Sequence, residues 1–496
     1  MTTPQNLSAA VIHRWPPLST CNFNSKPPKT LFSTSHLRPA TAVASTIEIA
    51  PLDTVVSDSL PLKKTFFVKN CDEFEDKKLK FGHFVHNYLI VTIRALILSQ
   101  VTRIEKADKE DVLIPIGLGT EEMEAVIMVN VLRQAGADVV LASVERQLEV
   151  KLSGGTTLVA DVSISECSHQ IYDLVALPGG MPGSVRLRDC KTLEAITKKQ
   201  AEENRLYGAI CAAPAVTLLP WGLLKRKTST CHPAFFHQLP SFRAIKTNLQ
   251  VSEGLTTSRG PGTCFQFSVS LVEQLFGESA STKMGKFLLM DTDDEVSRKE
   301  EFNEVEWAVD HTPRVLIPVA NGSEDIEVVT VVDILRRAKL DVTVASVEKT
   351  LSVVGSHGIK IVADKSLKNA AESIYDLIIL PGGNSGVERL QKSRIVKRLL
   401  KEQVSNERKY GAICSSPSIF QKQGLLQNKK ATAHPSVVSM LDSNTTVGSQ
   451  VVVDGRLITC RGLSSAPEFA LAIIAKFFGH GRAKSVATGL VYEYTK

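Results

Sequence analysis

The chain has no CxxC pair. Its nine cysteines, at positions 21, 71, 167, 190, 211, 231, 264, 414 and 460, are odd in number and show no paired spacing. That argues against a disulfide framework and against a zinc site, so no metal is expected. No Walker loop is present, and the Gly260-Pro261-Gly262 run is too short to argue for a nucleotide cofactor. The mostly apolar run from His86 to Val101 is shorter than a membrane span and carries Arg94, which would sit mid-bilayer, so no membrane partner is expected. Net charge is small too: 58 basic and 52 acidic residues leave +6, and the first 47 residues supply +4 of it through Arg14, Lys26, Lys29 and Arg38. The near-neutral remainder gives no basis for a nucleic-acid partner.

Acidic residues are absent before Glu48, while Ser, Thr and Pro are frequent. Residues 1–47 therefore read as a transit peptide, and few arginines among many hydroxyls point to the chloroplast stroma. The alternative is a plain disordered tail. Residues 48–110 read as a linker or disordered extension to which no function attaches.

What is present is a repeat. Tyr207-Gly208-Ala209-Ile210-Cys211-Ala212-Ala213-Pro214 returns as Tyr410-Gly411-Ala412-Ile413-Cys414-Ser415-Ser416-Pro417. The offset of 203 also relates Glu124 to Glu327 and Gly180 to Gly383, and His232 to His434 stand 202 apart. A period that long is a duplicated domain, not a solenoid unit. The expected layout is domain one over 111–278, a charged linker over 279–312, domain two over 313–480 and a tail over 481–496. Apolar strands such as Val112–Ile116 alternate with helical patterns such as Glu121–Gln134, which Gly136 closes at the position of a C-terminal cap. This alternation predicts an α/β fold with a mostly parallel, doubly wound sheet in each copy, binding ligands at strand carboxyl ends.

The chemistry-bearing residues fall at those ends. Each copy has a Glu early in its first helix (Glu124, Glu327), a Gly-Gly turn, a Cys between strand and helix (Cys211, Cys414) and a later His (His232, His434). A thiol on such an elbow faces a helix N-terminus, which favours thiolate. A nearby carboxyl can manage its proton. The backbone N–H groups of Gly180 and Ala212, or Gly383 and Ser415, suit a developing oxyanion. Each residue has a plainer reading. A lone Cys is commonly a packed core residue, Glu124 a dipole-favoured residue of the first helical turn, and each His a cap or core side chain.

Gly119-Thr120-Glu121-Glu122-Met123-Glu124, Leu177-Pro178-Gly179-Gly180, Ala209-Ile210-Cys211-Ala212, His232-Pro233 and Ser258-Arg259-Gly260-Pro261-Gly262-Thr263 together resemble the DJ-one (ThiJ/PfpI) superfamily, over about two thirds of the chain. Two copies behind a transit-like leader resemble its tandem members in plants. The resemblance implies tandem flavodoxin-like domains forming an intramolecular pseudo-dimer, with further homo-oligomerisation open. It implies an oxidation-prone, low-pKa Cys bonded to a Glu, carried onto Cys211 with Glu124 and Cys414 with Glu327. It also implies cofactor-free glyoxalase III or deglycase activity on small 2-oxoaldehydes, or redox sensing with chaperone-like protection. A PfpI-like peptidase or amidotransferase with His232 as base is a further alternative. Copy two has Gly462-Leu463-Ser464-Ser465 where copy one has Gly260-Pro261-Gly262-Thr263, which ranks copy one as the better site.

Overall fold

The computed structural model describes residues 109–290, 298–442 and 445–495. The expected leader and all but the last two residues of the 48–110 extension lie outside the described residues.

In copy one, β1 (Asp111–Ile116) is followed by α1 (Glu122–Ala135), β2 (Asp138–Ser143), a hairpin of β3 (Glu149–Lys151) and β4 (Thr157–Val159), and β5 (Val162–Ser163). Next come β6 (Leu174–Leu177), α2 (Gly183–Asp189), α3 (Lys191–Glu202), β7 (Leu206–Ile210), β8 (Leu249–Ser252), β9 (Leu255–Ser258), α4 (Cys264–Phe276) and α5 (Glu278–Phe287). The sheet order is β5-β2-β1-β6-β7-β9-β8, parallel except where β8 meets β9. Strands buried on both faces, as in the wholly buried Leu-Val-Ala-Leu of β6, are what a helix-covered parallel sheet requires. Gly136 ends α1 with φ of 105°, left-handed backbone that a glycine adopts without strain.

Copy two repeats this with β11 (Arg314–Val319), α6 (Asp325–Arg337), β12 (Asp341–Ser346), the hairpin β13 (Ser352–Val354) and β14 (Lys360–Val362), and β15 (Lys365–Ser366). It continues through α7 (Leu367–Ala370), β16 (Leu377–Leu380), α8 (Asn384–Lys392), α9 (Arg394–Ser405), β17 (Lys409–Ile413), α10 (Pro417–Lys422), β18 (Val451–Asp454), β19 (Leu457–Cys460), α11 (Ala466–Phe478) and α12 (His480–Leu490). Two stretches depart from expectation. The 279–312 linker holds most of α5 and a strand, β10 (Lys299–Phe302), that adds a parallel edge to the second sheet beside β18. Its Lys-Glu-Glu-Phe sequence hides the strand because Glu301 is paired with Lys476 and Glu300 bonds Ser449. The 481–496 tail is mostly α12, which caps the first copy's site.

The two copies share one core. Residues Glu122–Leu132 of α1 are buried around the whole helix, as are Asp325–Leu335 of α6. A helix apolar on all sides needs cover on all sides. The two helices pack on each other, and their Val, Ile and Met side chains belong to one cluster drawn from both domains. The hairpins also join: β4 pairs antiparallel with β14 through Thr157–Val362, Leu158–Ile361 and Val159–Lys360. The resulting four-stranded sheet, β13-β14-β4-β3, satisfies two edges that would otherwise be open. The chain is thus an intramolecular pair of domains.

A histidine bridges this interface. His357 places Nδ1 3.7 Å from both Glu324 and Asp325, while Gln134 of the other domain approaches Nε2 at 2.5 Å. Burial opposes its charge, but the hydrogen bonds to Asp325 and Glu324 outweigh burial and push it up to about 9. A raised histidine contributes stability that is complete below its unfolded value near 6.5 and is lost as pH rises through about 9. Glu327, raised to about 8 by burial, destabilises progressively from about pH 4.5 and has finished by about pH 8. Thiols raised by burial, Cys211 and Cys414 among them, also lose stability from about pH 8.5, where the unfolded thiol ionises, so the difference between wild type and a His357 variant over pH 8–10 isolates His357. Roughly 1 kcal/mol should be lost there, discounted for solvent screening. Thermal melts of wild type and His357→Gln check it: the variant should show a flatter pH dependence, and parallel curves would disprove the assignment.

Candidate active site

Cys211 follows β7 directly, with φ of 63°, and Cys414 follows β17 with φ of 60°. Left-handed backbone in a residue with a Cβ costs about 1–2 kcal/mol, and its occurrence at both cysteines marks them as held in place. The hold is visible at Cys211. Its N–H donates to the Ser258 carbonyl of β9 at 3.0 Å, and its carbonyl accepts from His232 N–H at 2.8 Å. The turn Gly179-Gly180 approaches from β6. A Cβ on Gly179 would lie 2.6 Å from the Cys211 Cβ, and one on Gly180 (φ 88°) would lie 2.4 Å from Glu121 N. Only a glycine pair fits between the elbow and α1.

Glu124, in the first turn of α1, is fully buried beneath this turn. Its Oε2 accepts the Gly179 N–H at 2.7 Å, while its Oε1 has no ordinary hydrogen-bond partner and the Cys211 thiol lies beside the carboxyl. Glu327 accepts the Gly382 N–H at 2.8 Å in the same way. Burial, then Glu121, pushes the Glu124 carboxyl well up, so it holds its proton at neutral pH.

The thiols need a correction. A helix dipole was expected to lower them, but Cys211 leads into a single π-helical turn, Pro214–Leu218, and Cys414 into the six-residue α10. Burial, followed by the neighbouring Glu124 and Glu121, pushes the Cys211 thiol up, opposed by the Gly180 N–H that points at the sulfur. Burial and Glu327 do the same at Cys414, with the Ser415 N–H opposing. Thiolate at this elbow therefore depends on a protonated glutamate: a neutral Glu124 removes the repelling charge and offers the sulfur a hydrogen bond. The Gly180 N–H of the expected oxyanion pair is aimed at the sulfur in copy one, and the Ser415 N–H in copy two. Gly383 repeats Gly180 with φ of 88°, and Ala212 lines the cavity described next.

A cavity of about 320 Å³ opens over Cys211. Gly180, Ala212, His232, Phe235 and Pro261 line it from copy one, and Asp333, Arg337 and Gly489 line it from copy two. Arg337 binds Glu121 with one guanidinium nitrogen and Asp333 through Nε at 2.7 Å. These cross-domain residues went unnoticed in the sequence. Subtracting 203 puts Asn130 and Gln134 at the corresponding places in copy one, so copy two's site meets two amides where copy one's meets an acid and a guanidinium. That mismatch within the repeat was the available signal.

His232 shares the cavity, but both ring nitrogens are engaged. Nδ1 accepts from Ala234 N at 3.2 Å, which leaves the proton on Nε2 to donate to the Gly489 carbonyl of α12 at 3.2 Å. Burial lowers it, so the ring is neutral. His434 likewise turns Nδ1 toward Ser436, at 3.2 Å from its N–H and 2.7 Å from its hydroxyl. Neither histidine is bonded to its cysteine sulfur. Among the other thiols, Cys264 faces the Glu124 carbonyl at 3.6 Å and Cys231 the His232 carbonyl at 3.4 Å.

The fold also assembles carboxylate groups that the sequence does not show as clusters: Glu121 and Glu122 of copy one with Asp333 of copy two, and Glu324, Asp325 and His357 of copy two. Each has a cation bonded into it, Arg337 in the first and His357 in the second.

The DJ-1/PfpI family model matches residues 110–274 and 313–476, both copies and most of the described chain. The chain belongs to the DJ-1/PfpI family. Among its relatives, Protein DJ-1 homolog A of Arabidopsis thaliana is 44% identical over 376 residues, 75% of this chain and 96% of the relative. Protein DJ-1 homolog B of the same plant is 42% identical over 410 residues, 82% of this chain and 93% of the relative. Glutathione-independent glyoxalase DJR-1.2 of Caenorhabditis elegans is 31% identical over 172 residues, 36% of this chain and 90% of that protein. The elbow cysteine, the buried glutamate and the glycine turn of each copy lie within the residues that the family model matches.

Proposed function

We propose that this DJ-1/PfpI chain converts small 2-oxoaldehydes such as methylglyoxal to 2-hydroxy acids, using Cys211 and Glu124 and no cofactor. The observation that carries this reading is the fully buried Glu124 beside a strained Cys211 at the floor of a small cavity. A relative named as a glutathione-independent glyoxalase supports it.

The chemistry balances within one active site. The Cys211 thiolate attacks the aldehyde carbon, and Glu124 gives its proton to the carbonyl oxygen, which completes a hemithioacetal and leaves Glu124 as carboxylate. Glu124 as carboxylate removes the hydrogen from that carbon and returns it to the neighbouring keto carbon, while the hydroxyl proton passes to the keto oxygen, so the first carbon is oxidised and the second reduced. The product is a thioester, which water hydrolyses to lactate with return of the thiol. The Gly180 N–H favours the negative charge that develops at the elbow. Incubation of leader-free protein with methylglyoxal, without glutathione and after chelation, should yield lactate; production no greater than a heat-killed control would reject the reading.

A second reading rests on the same pair. Peroxide would oxidise the Cys211 thiolate stepwise to sulfinate, which Glu124 would bond, in a redox-responsive, chaperone-like protein. The hydrolase alternative is less well supported, since it needs a histidine facing the sulfur and His232 faces Gly489 instead.

We also propose delivery to the chloroplast through residues 1–47, on the absence of acidic residues before Glu48. A fluorescent protein carrying this segment should enter plastids; diffuse cytosolic fluorescence would refute the assignment.

A further inference from the structure

We propose that the residue after the loop glycine, Pro261 in copy one and Leu463 in copy two, decides whether the buried glutamate or the adjacent cysteine holds the proton they share. The inference deepens the cysteine chemistry proposed above and does not depend on the identity of the substrate.

The two carboxyls differ in one hydrogen bond. Glu327 accepts Gly382 N–H at Oε2 (2.8 Å) and Leu463 N–H at Oε1 (3.2 Å). N–H donors on both oxygens favour the carboxylate and oppose the burial that raises Glu327, so more of the shared proton is left on Cys414 than on Cys211. Glu124 accepts Gly179 N–H at Oε2, and proline at 261 has no N–H to offer. Its Oε1 is left buried and unpartnered. Such an oxygen is best satisfied as a hydroxyl directed at the sulfur, which places the proton on Glu124 and the charge on Cys211.

The loops explain the difference. Gly260 is extended at φ 169°, and a Cβ there would meet Val491 and His232, not the pair. Gly462 is at φ 113° and Leu463 at 46°, and a Cβ on Gly462 would fall 2.6 Å from Glu327 Oε1 and 2.8 Å from the Cys414 Cβ. Ser464 anchors the inward loop, giving its N–H to the Leu288 carbonyl (3.2 Å) and its hydroxyl to the Leu289 carbonyl (3.0 Å). The other titratable groups are matched in kind: Glu121, Arg337, Arg259, His232 and Cys264 around copy one, and Glu324, His357, Arg461, His434 and Cys460 around copy two. Arg337 is the exception that favours an ionised Glu124, and burial with Glu121 overrides it.

Peptide-resolved alkylation against pH tests this in the intact leader-free chain, with no aldehyde present. Installing Gly-Leu-Ser-Ser at 260–263 should slow Cys211 alkylation at pH 7 about tenfold and raise its midpoint, the worth of one hydrogen bond to a charged group. Installing Gly-Pro-Gly-Thr at 462–465 should speed Cys414 by a similar factor. Leu463→Pro, which removes the donor N–H, is the minimal variant should the loop exchange unfold a copy, and it should speed Cys414 alkylation as the 462–465 exchange does. General loosening would move both cysteines the same way. Unchanged midpoints, or shifts of one sign, would overturn the proposal. Loss of lactate formation with midpoints moved as expected would fault the substrate assignment alone.

Discussion

Cys211→Ala is expected to reduce lactate formation from methylglyoxal to whatever copy two supplies. No other group in the cavity can form the covalent bond: His232 is held between Ala234 and Gly489, and Arg337 is paired with Glu121 and Asp333. Removing the sulfur removes the route, and not merely a contribution to it. The cavity and Glu124 survive the change, because Ala fills the same elbow with the same Cβ. Cys414→Ala should cost much less, since the Leu463 N–H draws the Glu327 carboxyl toward its ionised form and so leaves more of the shared proton on Cys414. Should Cys414→Ala be the more damaging, the ranking of the two copies is reversed.

Glu124→Gln should lower turnover by about a hundredfold or more, the usual size of a general acid–base contribution. The amide keeps the shape and can still accept the Gly179 N–H, so the fold is preserved. It can neither give up nor return a proton, so the hemithioacetal would form and then stall. The expected signature is a fall in kcat with little change in KM. Retention of wild-type turnover would show that another group, or water, carries the proton. Because Gln still offers an N–H to sulfur, Cys211 oxidation by peroxide should be less affected than turnover, which separates the enzymatic role of Glu124 from its support of thiolate.

The core of this site was legible in the sequence because it is encoded locally and twice. The Cys after a Gly-Ala-Ile strand, the Gly-Gly turn and the early helical Glu each sit at a strand end within one domain, and a common offset ties them together. The other half was hidden for a physical reason. Asp333, Arg337 and Gly489 reach Cys211 only because α1 packs on α6 and β4 pairs with β14, contacts that join residues about two hundred positions apart. β10 was missed because its charges are matched by Lys476 and Ser449 from elsewhere in the fold. The thiol's direction of shift was misread for the same kind of reason. A Pro after the elbow suggested a helix dipole, whereas burial against Glu124 and Glu121 dominates, and burial is a tertiary quantity.

The most direct test of the whole account is to catch the sulfur in the act. Leader-free wild-type chain, free of metal and glutathione, should be mixed with methylglyoxal, quenched in acid during turnover and read by peptide mass spectrometry. The account predicts a mass gain of one methylglyoxal on the peptide holding Cys211, appearing before lactate and decaying as substrate runs out. In Glu124→Gln the same adduct should persist. Lactate formed while Cys211 stays unmodified, or an adduct confined to Cys414, would contradict it.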